Sequence, residues 1–126
     1  MTTTNLTEAT FADTISGNDI VLIDFWAAWC GPCRMFAPVY ETVSDANPDI
    51  VFAKVDTEAE PGLAGAFSIS SIPTLMVVRE GVVLFSQAGA LPEPALANLV
   101  QAARDVDMDD VRRQIAATEQ ETPGTA

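Results

Sequence analysis

Ile20-Val21-Leu22-Ile23-Asp24-Phe25-Trp26-Ala27-Ala28-Trp29-Cys30-Gly31-Pro32-Cys33 is the stretch that decides the fold. From Ile20 to Trp26 it is apolar at both parities except at Asp24, the pattern of a strand buried on both faces beneath helices. The chain's two cysteines follow directly, two residues apart, at the junction with a helix. A thiolate attacks disulfides, and a second thiol within reach completes the exchange, so the pair suggests a dithiol that cycles with a disulfide.

Two other readings of Cys30 and Cys33 are weaker. A structural disulfide closing so short a loop gives little loop-entropy stabilisation. A closed zinc site wants four ligands, usually Cys and His, and the chain has no histidine and no third cysteine. Redox exchange assigns each thiol a role. Cys30 lies at the N-terminal edge of the helix, where unpaired N–H groups and the helix dipole favour negative charge and make it the nucleophile. Cys33, one turn in, is shielded and resolves. Pro32 suits a first helical turn, and Gly31 lets another backbone approach.

Outward from this stretch, Thr7 is expected to cap a short helix carrying Phe11 and Ile15, ended by Gly17-Asn18. Met35, Phe36, Val39, Tyr40 and Val43 repeat at helical spacing, with Pro38 expected to kink the helix and Asn47-Pro48 to end it. Ile50 to Val55 reads as a strand, and Pro61 opens a short helix. Thr74 to Val78 and Val82 to Phe85 read as a hairpin turned at Gly81. Leu96, Leu99, Val100 and Ala103 stripe a last long helix. Parallel strands with helical crossovers therefore come first, and an antiparallel hairpin closes the sheet. Past Asp105 the composition changes: Met108, Val111 and Ile115 keep helical spacing, and Thr118 to Ala126 is expected to be disordered.

The 126 residues, 48% of them hydrophobic, suffice for one core without a staple. A net charge of −12 repels nucleic acid and anionic membrane surfaces, and suits a partner with a basic face. No apolar run is long enough to span a membrane, and the polar start from Met1 to Thr10 lacks the features of a signal peptide, so the cytoplasm is the expected compartment. No glycine-rich or P-loop pattern for a nucleotide is present.

The segment Asp24 to Pro38 closely resembles the active-site segment of thioredoxins. Further agreement lies in Ala53-Lys54-Val55-Asp56, Ser71-Ile72-Pro73-Thr74 and Gly89-Ala90-Leu91, and the resemblance runs from about Thr3 to Arg104. It implies an α/β thioredoxin fold, with a central mixed sheet of about five strands flanked by about four helices and a short C-terminal helical extension. Residues 1–106 would be the thioredoxin domain and residues 107–126 an acidic, partly helical extension.

The implied activity is reduction of protein disulfides by dithiol–disulfide exchange. The implied partners are diverse protein disulfides and a thioredoxin reductase, acting on a monomer. No cofactor or metal would be bound; NADPH would serve indirectly, on the reductase. Asp24 would lie buried behind Cys33 as its proton acceptor through water, with a pKa raised by desolvation. Lys54, the only lysine, would lie near Asp24 and tune it. By general frequency Ile72–Pro73 would be trans, but the resemblance implies a cis bond facing the cysteines, with the Ile72 backbone free to pair with an extended substrate. Trp29 would be exposed beside Cys30, and with Gly31, Pro32, Ile72, Pro73, Gly89 and Ala90 would form a shallow docking surface. Trp26 would be core. Ser71 stands where many thioredoxins have glycine, and Pro92 and Pro94 crowd the start of the last long helix. The rival is a thioredoxin-fold binding module whose role does not need the thiols; replacing both cysteines by serine separates the two.

Overall fold

A computed structural model describes residues 2–121. Its elements run β1 (Thr3–Asn5), α1 (Phe11–Gly17), β2 (Ile20–Trp26), α2 (Gly31–Ala46), β3 (Val51–Asp56), α3 (Pro61–Ala66), β4 (Thr74–Arg79), β5 (Val82–Ala88), α4 (Glu93–Asp105) and α5 (Met108–Glu121). The sheet order is β1-β3-β2-β4-β5. β3 pairs in parallel with β1 and β2, and β4 pairs antiparallel with β2 and β5. This is the thioredoxin-type α/β architecture, with a five-stranded mixed sheet.

The apolar run Ile20–Trp26 holds the middle of the sheet because both its faces are covered. On one face, Ile20 and Leu22 pack with Phe52, Leu75 and Val77 against Phe36, Tyr40 and Val43 of α2 and Leu96 and Val100 of α4. On the other, Val21, Ile23 and Phe25 pack with Met76 and Val78 against Phe11 and Ile15 of α1, Leu63 of α3 and Phe67. Asp24 is the one charged residue inserted in this strand, and its side chain is 1% exposed.

Local chemistry sets the boundaries. Helix α2 is continuous through Pro38 and stops at Asn47. Glu80 and Gly81 both have positive φ, as a two-residue hairpin turn requires, and glycine takes that conformation without steric cost. Thr7 does not cap α1 itself. It precedes a turn in which Thr10 N–H donates to Thr7, and the helix begins at Phe11 with no side-chain cap.

Three other expectations change. β1 is not predicted from its residues, because three polar residues at a sheet edge carry no apolar pattern. Met35 is 77% exposed rather than part of the buried stripe, which consists of Cys33, Phe36, Tyr40 and Val43. Thr118 to Glu121 continue α5 instead of leaving the fold; residues 122–126 of the expected disordered tail lie outside the described residues.

Helix α5 is seated by specific contacts. Arg79 Nη1 donates to the carbonyls of Ala103, Arg104 and Val106 at 3.0, 3.2 and 2.8 Å, closing the end of α4 and steering the chain onward. Met108 is buried, and Arg112 pairs with Glu80 in the hairpin turn and with Asp109. Replacing Arg79 by alanine would orphan three carbonyls, and we expect a loss of about 1–3 kcal/mol in urea unfolding. An unchanged midpoint would show that the clamp contributes nothing.

Candidate active site

The loop after β2 delivers Cys30 to the start of α2. Cys30 is the N-cap residue, with extended backbone, and Cys33 N–H donates to its Sγ at 3.2 Å. Pro32 occupies the first turn, where its missing N–H costs nothing. Arg34 Nη1 donates to the Ala28 carbonyl at 2.8 Å and pins the loop from the helix side.

Cys30 and Cys33 are joined by a disulfide, with Cα atoms 5.2 Å apart. Both are buried in this oxidised form, in a small apolar cluster with Ala27, Trp26 and Ile72. Burial therefore does not separate the two sulfurs; their places on the helix do. A thiolate at Cys30 would keep the Cys33 N–H and the positive end of α2 beside it, while Cys33 lies one turn inside.

The loop before β4 approaches from the opposite side. The Ile72–Pro73 peptide is cis, and the Ile72 carbonyl oxygen lies 3.8 Å from Cys30 Sγ. Gly89, at φ +110°, donates its N–H to the Pro73 carbonyl at 2.7 Å, so the end of β5 is tied to the same loop. Around the disulfide, Trp29 is 67% exposed, Pro32, Gly89 and Ala90 are exposed, and Gly31 and Ile72 are half-buried. A Cβ at Gly31 would meet only Arg34 Nη2, at 4.0 Å, so this glycine leaves open space and serves no contact inside the chain.

In the central strand of the sheet, Asp24 pairs in register with Lys54 of β3 and Leu75 of β4. Both its carboxyl oxygens are buried without a hydrogen-bond partner. Desolvation pushes its pKa up to about 7, against the opposing pull of the Lys54 charge. The Lys54 ammonium lies over the Trp26 ring, 4.9 Å from its centroid. It thus acts on Asp24 through space without a salt bridge. Trp26, expected as core, is only half-buried, because a small cavity of about 240 Å³ opens beside it between Leu6, Lys54, Asp56 and Glu60.

A thiol pair at a helix start with a cis-proline loop against it has the parts of a dithiol–disulfide exchange site, and the central strand of the same sheet carries a buried carboxyl. Residues 2–102 match the thioredoxin family profile. The chain belongs to the thioredoxin family. A Streptomyces coelicolor relative assigned as a thioredoxin 2 is 60% identical over 114 residues, covering 90% of this chain and 85% of its own. Thioredoxin 1 of Synechococcus elongatus is 44% identical over 95 residues, covering 74% and 89%. Among solved structures, a point mutant of the thioredoxin from Halobacterium salinarum superposes with a TM-score of 0.75 at 34% identity, covering 82% of this chain and 92% of that one.

As a thioredoxin, this protein is a thiol–disulfide oxidoreductase, a protein-disulfide reductase and redox carrier built on Cys30 and Cys33. Among the described residues there is no cluster of potential metal ligands and no helix long and apolar enough to cross a membrane.

Of the residues expected at the site, Ile72 packs on the disulfide, and Gly89, next to Ala90 in the chain, is hydrogen-bonded to Pro73; Trp29, Gly31 and Pro32 flank the cysteines in sequence, and Asp24 and Lys54 pair with each other across the β2–β3 ladder. Sequence reasoning missed three residues there. Met35 is exposed on the first turns of α2. Arg34 pins the loop, and Ala27, fully buried, walls both cysteines. For Met35 a finer reading of the period was available: it lies about 100° around the helix from Phe36, off the buried stripe.

Proposed function

We propose that this protein reduces disulfides in other proteins and is returned to its dithiol form by a thioredoxin reductase that draws on NADPH. The observation that carries the proposal is Cys30 at the N-cap of α2 with the Cys33 N–H on its sulfur, a setting that favours a thiolate at Cys30.

The Cys30 thiolate attacks one sulfur of the substrate disulfide; a Cys30–substrate bond forms, and the other substrate sulfur leaves as a thiolate that takes a proton from solvent. Asp24, as carboxylate, accepts the Cys33 proton through water. The Cys33 thiolate attacks Cys30 Sγ, the Cys30–Cys33 bond forms, and the second substrate thiolate departs. The substrate has gained two electrons and this protein has lost two. The reductase then restores both thiols.

Trp29, Gly31, Pro32, Ile72, Pro73, Gly89 and Ala90 are the docking surface in this cycle. Ile72 offers its backbone to an extended segment, and Trp29 offers an apolar face. A surface so shallow suits varied protein disulfides, and the charge of −12 suits a reductase or substrate with a basic face. We place the protein in the cytoplasm as a monomer, with residues 1–106 as the redox domain and 107–126 as an extension of it.

Lys54 tunes the base. Because its charge holds Asp24 down, Lys54→Met should raise the Asp24 pKa above about 7 and slow resolution at neutral pH by about two- to fivefold. The pH profile of the resolution rate checks this; an unmoved profile would remove Lys54 from the mechanism.

The direct test mixes the oxidised protein with thioredoxin reductase and NADPH, then adds a disulfide-bonded protein. NADPH oxidation should continue until the added disulfide is consumed. No NADPH oxidation by the oxidised protein would sink the reductase partnership. Oxidation that stops after one equivalent would sink the substrate class.

A further inference from the structure

Sulfur is unevenly exposed in this fold. Among the described residues Cys30, Cys33, Met76 and Met108 are 4%, 3%, 3% and 5% exposed, whereas Met35 is 77% exposed. Met76 packs with Val21, Ile23 and Val78 in the core under α1 and α3. Cys30 and Cys33 hold no free thiol in the disulfide form. In that form Met35 is the one described sulfur open to a solute.

The helix decides where this sulfur lies. Met35 follows Pro32 by three residues and Gly31 by four within the continuous α2. Residues so spaced share a face, with Cβ atoms about 5–6 Å apart, and helical side chains lean towards the N-terminus. The Met35 thioether therefore stands beside Pro32 and Gly31, on the side of α2 that bears the docking surface. Trp29 and Met35 are the two most exposed large apolar side chains among the described residues, and they bracket the cysteine pair.

We propose that Met35 is a peroxide-sensitive modification site: conversion of its thioether to the sulfoxide weakens docking of protein disulfides and leaves the chemistry at Cys30 intact. The oxidant is a hydroperoxide. The Met35 sulfur attacks its terminal oxygen; the S–O bond forms, the O–O bond breaks, and the leaving oxygen takes the proton of the transferred one and departs as alcohol or water. Sulfur loses two electrons and the peroxide gains two. The change turns a flexible apolar side chain into a polar one and is reversible by enzymatic reduction. A sulfoxide pressed into an apolar contact gives up its water without a replacement donor, so association weakens. Cys30 keeps its N-cap setting, with the Cys33 N–H on its sulfur. The proposal rests on the docking surface proposed above.

The first measurement treats the disulfide form with hydrogen peroxide and follows each methionine by peptide mass mapping. Met35 should gain oxygen at least about tenfold faster than Met76 and Met108 in the folded protein, with the three rates converging in concentrated urea. Equal rates in the folded protein overturn the site.

The second measurement reads docking. After peroxide treatment, dithiothreitol restores both cysteine thiols, leaves the sulfoxide in place and drives turnover of a disulfide-bonded protein. KM should rise by about three- to tenfold with kcat within about twofold. Attack on dipyridyl disulfide, which is too small to need the docking surface, should keep its rate. Met35→Leu, which forms no sulfoxide, should show the same KM before and after peroxide. A sulfoxide that leaves KM unmoved, or a peroxide effect of equal size in Met35→Leu, overturns the proposal. Trp29→Ala separates this failure from that of the docking surface. A raised KM in Trp29→Ala beside an unmoved KM in the sulfoxide removes only the role of Met35; an unmoved KM in both removes the surface as well.

Discussion

Replacement of Cys30 by serine should reduce turnover of a protein disulfide to the uncatalysed background, a fall of about 10³-fold or more. A serine hydroxyl stays protonated at neutral pH and forms no bond to sulfur that can be exchanged, so the loss is chemical and does not depend on unfolding. Cys33→Ser should behave differently. Its first attack on substrate should stay within about tenfold of wild type, because the N-cap setting of Cys30 is preserved and the nucleophile needs only its thiolate. Continuous turnover should nevertheless stop, since nothing can attack the mixed disulfide. Single-turnover and steady-state rates on the same substrate separate the two steps. Retained turnover in Cys30→Ser, or loss of the first attack in Cys33→Ser, would reverse the roles of nucleophile and resolver.

The second large effect is on Asp24. Its folded pKa of about 7 stands above the ordinary value of 3.8 expected in the unfolded chain. Below the unfolded value the carboxyl is neutral in both states and burial costs little beyond its lost hydrogen bonds. Between about pH 4 and pH 7 the unfolded chain ionises first, and the folded state loses stability as pH rises. Above pH 7 the loss levels off at an upper bound of about 4 kcal/mol for a shift of about three units.

Asparagine has the shape of the neutral carboxyl and never ionises. Asp24→Asn should therefore stabilise the fold by about 1–3 kcal/mol at pH 8, less than the upper bound because the amide is also left without partners. The gain should shrink towards zero at pH 4. The same variant should slow resolution at pH 7 by about 10- to 100-fold, since Cys33 loses its base. Urea unfolding at the two pH values reads the stability difference, and stopped-flow decay of the mixed disulfide reads the rate. A stability gain that is the same at both pH values would contradict the raised pKa.

Much of this site is legible in the residues, for physical reasons that differ by element. Ile20–Trp26 stands out to the residue because a strand covered on both faces must be apolar at both parities, and because a lone aspartate in such a run has no solvent side to face. Helix position assigns the two thiols, and the Gly31-Pro32 pair marks that position locally. The cis Ile72–Pro73 bond comes from the family resemblance; residue frequencies alone favour trans.

What is not legible depends on the assembled sheet. β1 is held by backbone pairing of Thr3, Thr4 and Asn5 with Phe52, Ala53 and Lys54, and such pairing leaves no side-chain pattern. Trp26 continues an apolar strand, yet it emerges where the sheet ends, beneath Lys54. The bond from Tyr40 to Ala53 joins a helix to a strand 13 residues on, and reading Tyr40 as one more core residue hides its hydroxyl. Helix α5 is polar over its last turns; its seat is supplied by Arg79, Met108 and Arg112 in contact with distant carbonyls, core and hairpin turn.

The exchange cycle turns on Cys30 alone carrying the substrate and Cys33 alone releasing it. Reduced Cys33→Ser protein, mixed with a disulfide-bonded protein and analysed by non-reducing peptide mass mapping, puts that division of labour to the test. A stable covalent complex is expected in which the substrate sulfur is bonded to Cys30, with no such complex accumulating in wild type. A Cys33→Ser protein that traps nothing, while Cys30→Ser accumulates an adduct through Cys33, would contradict it.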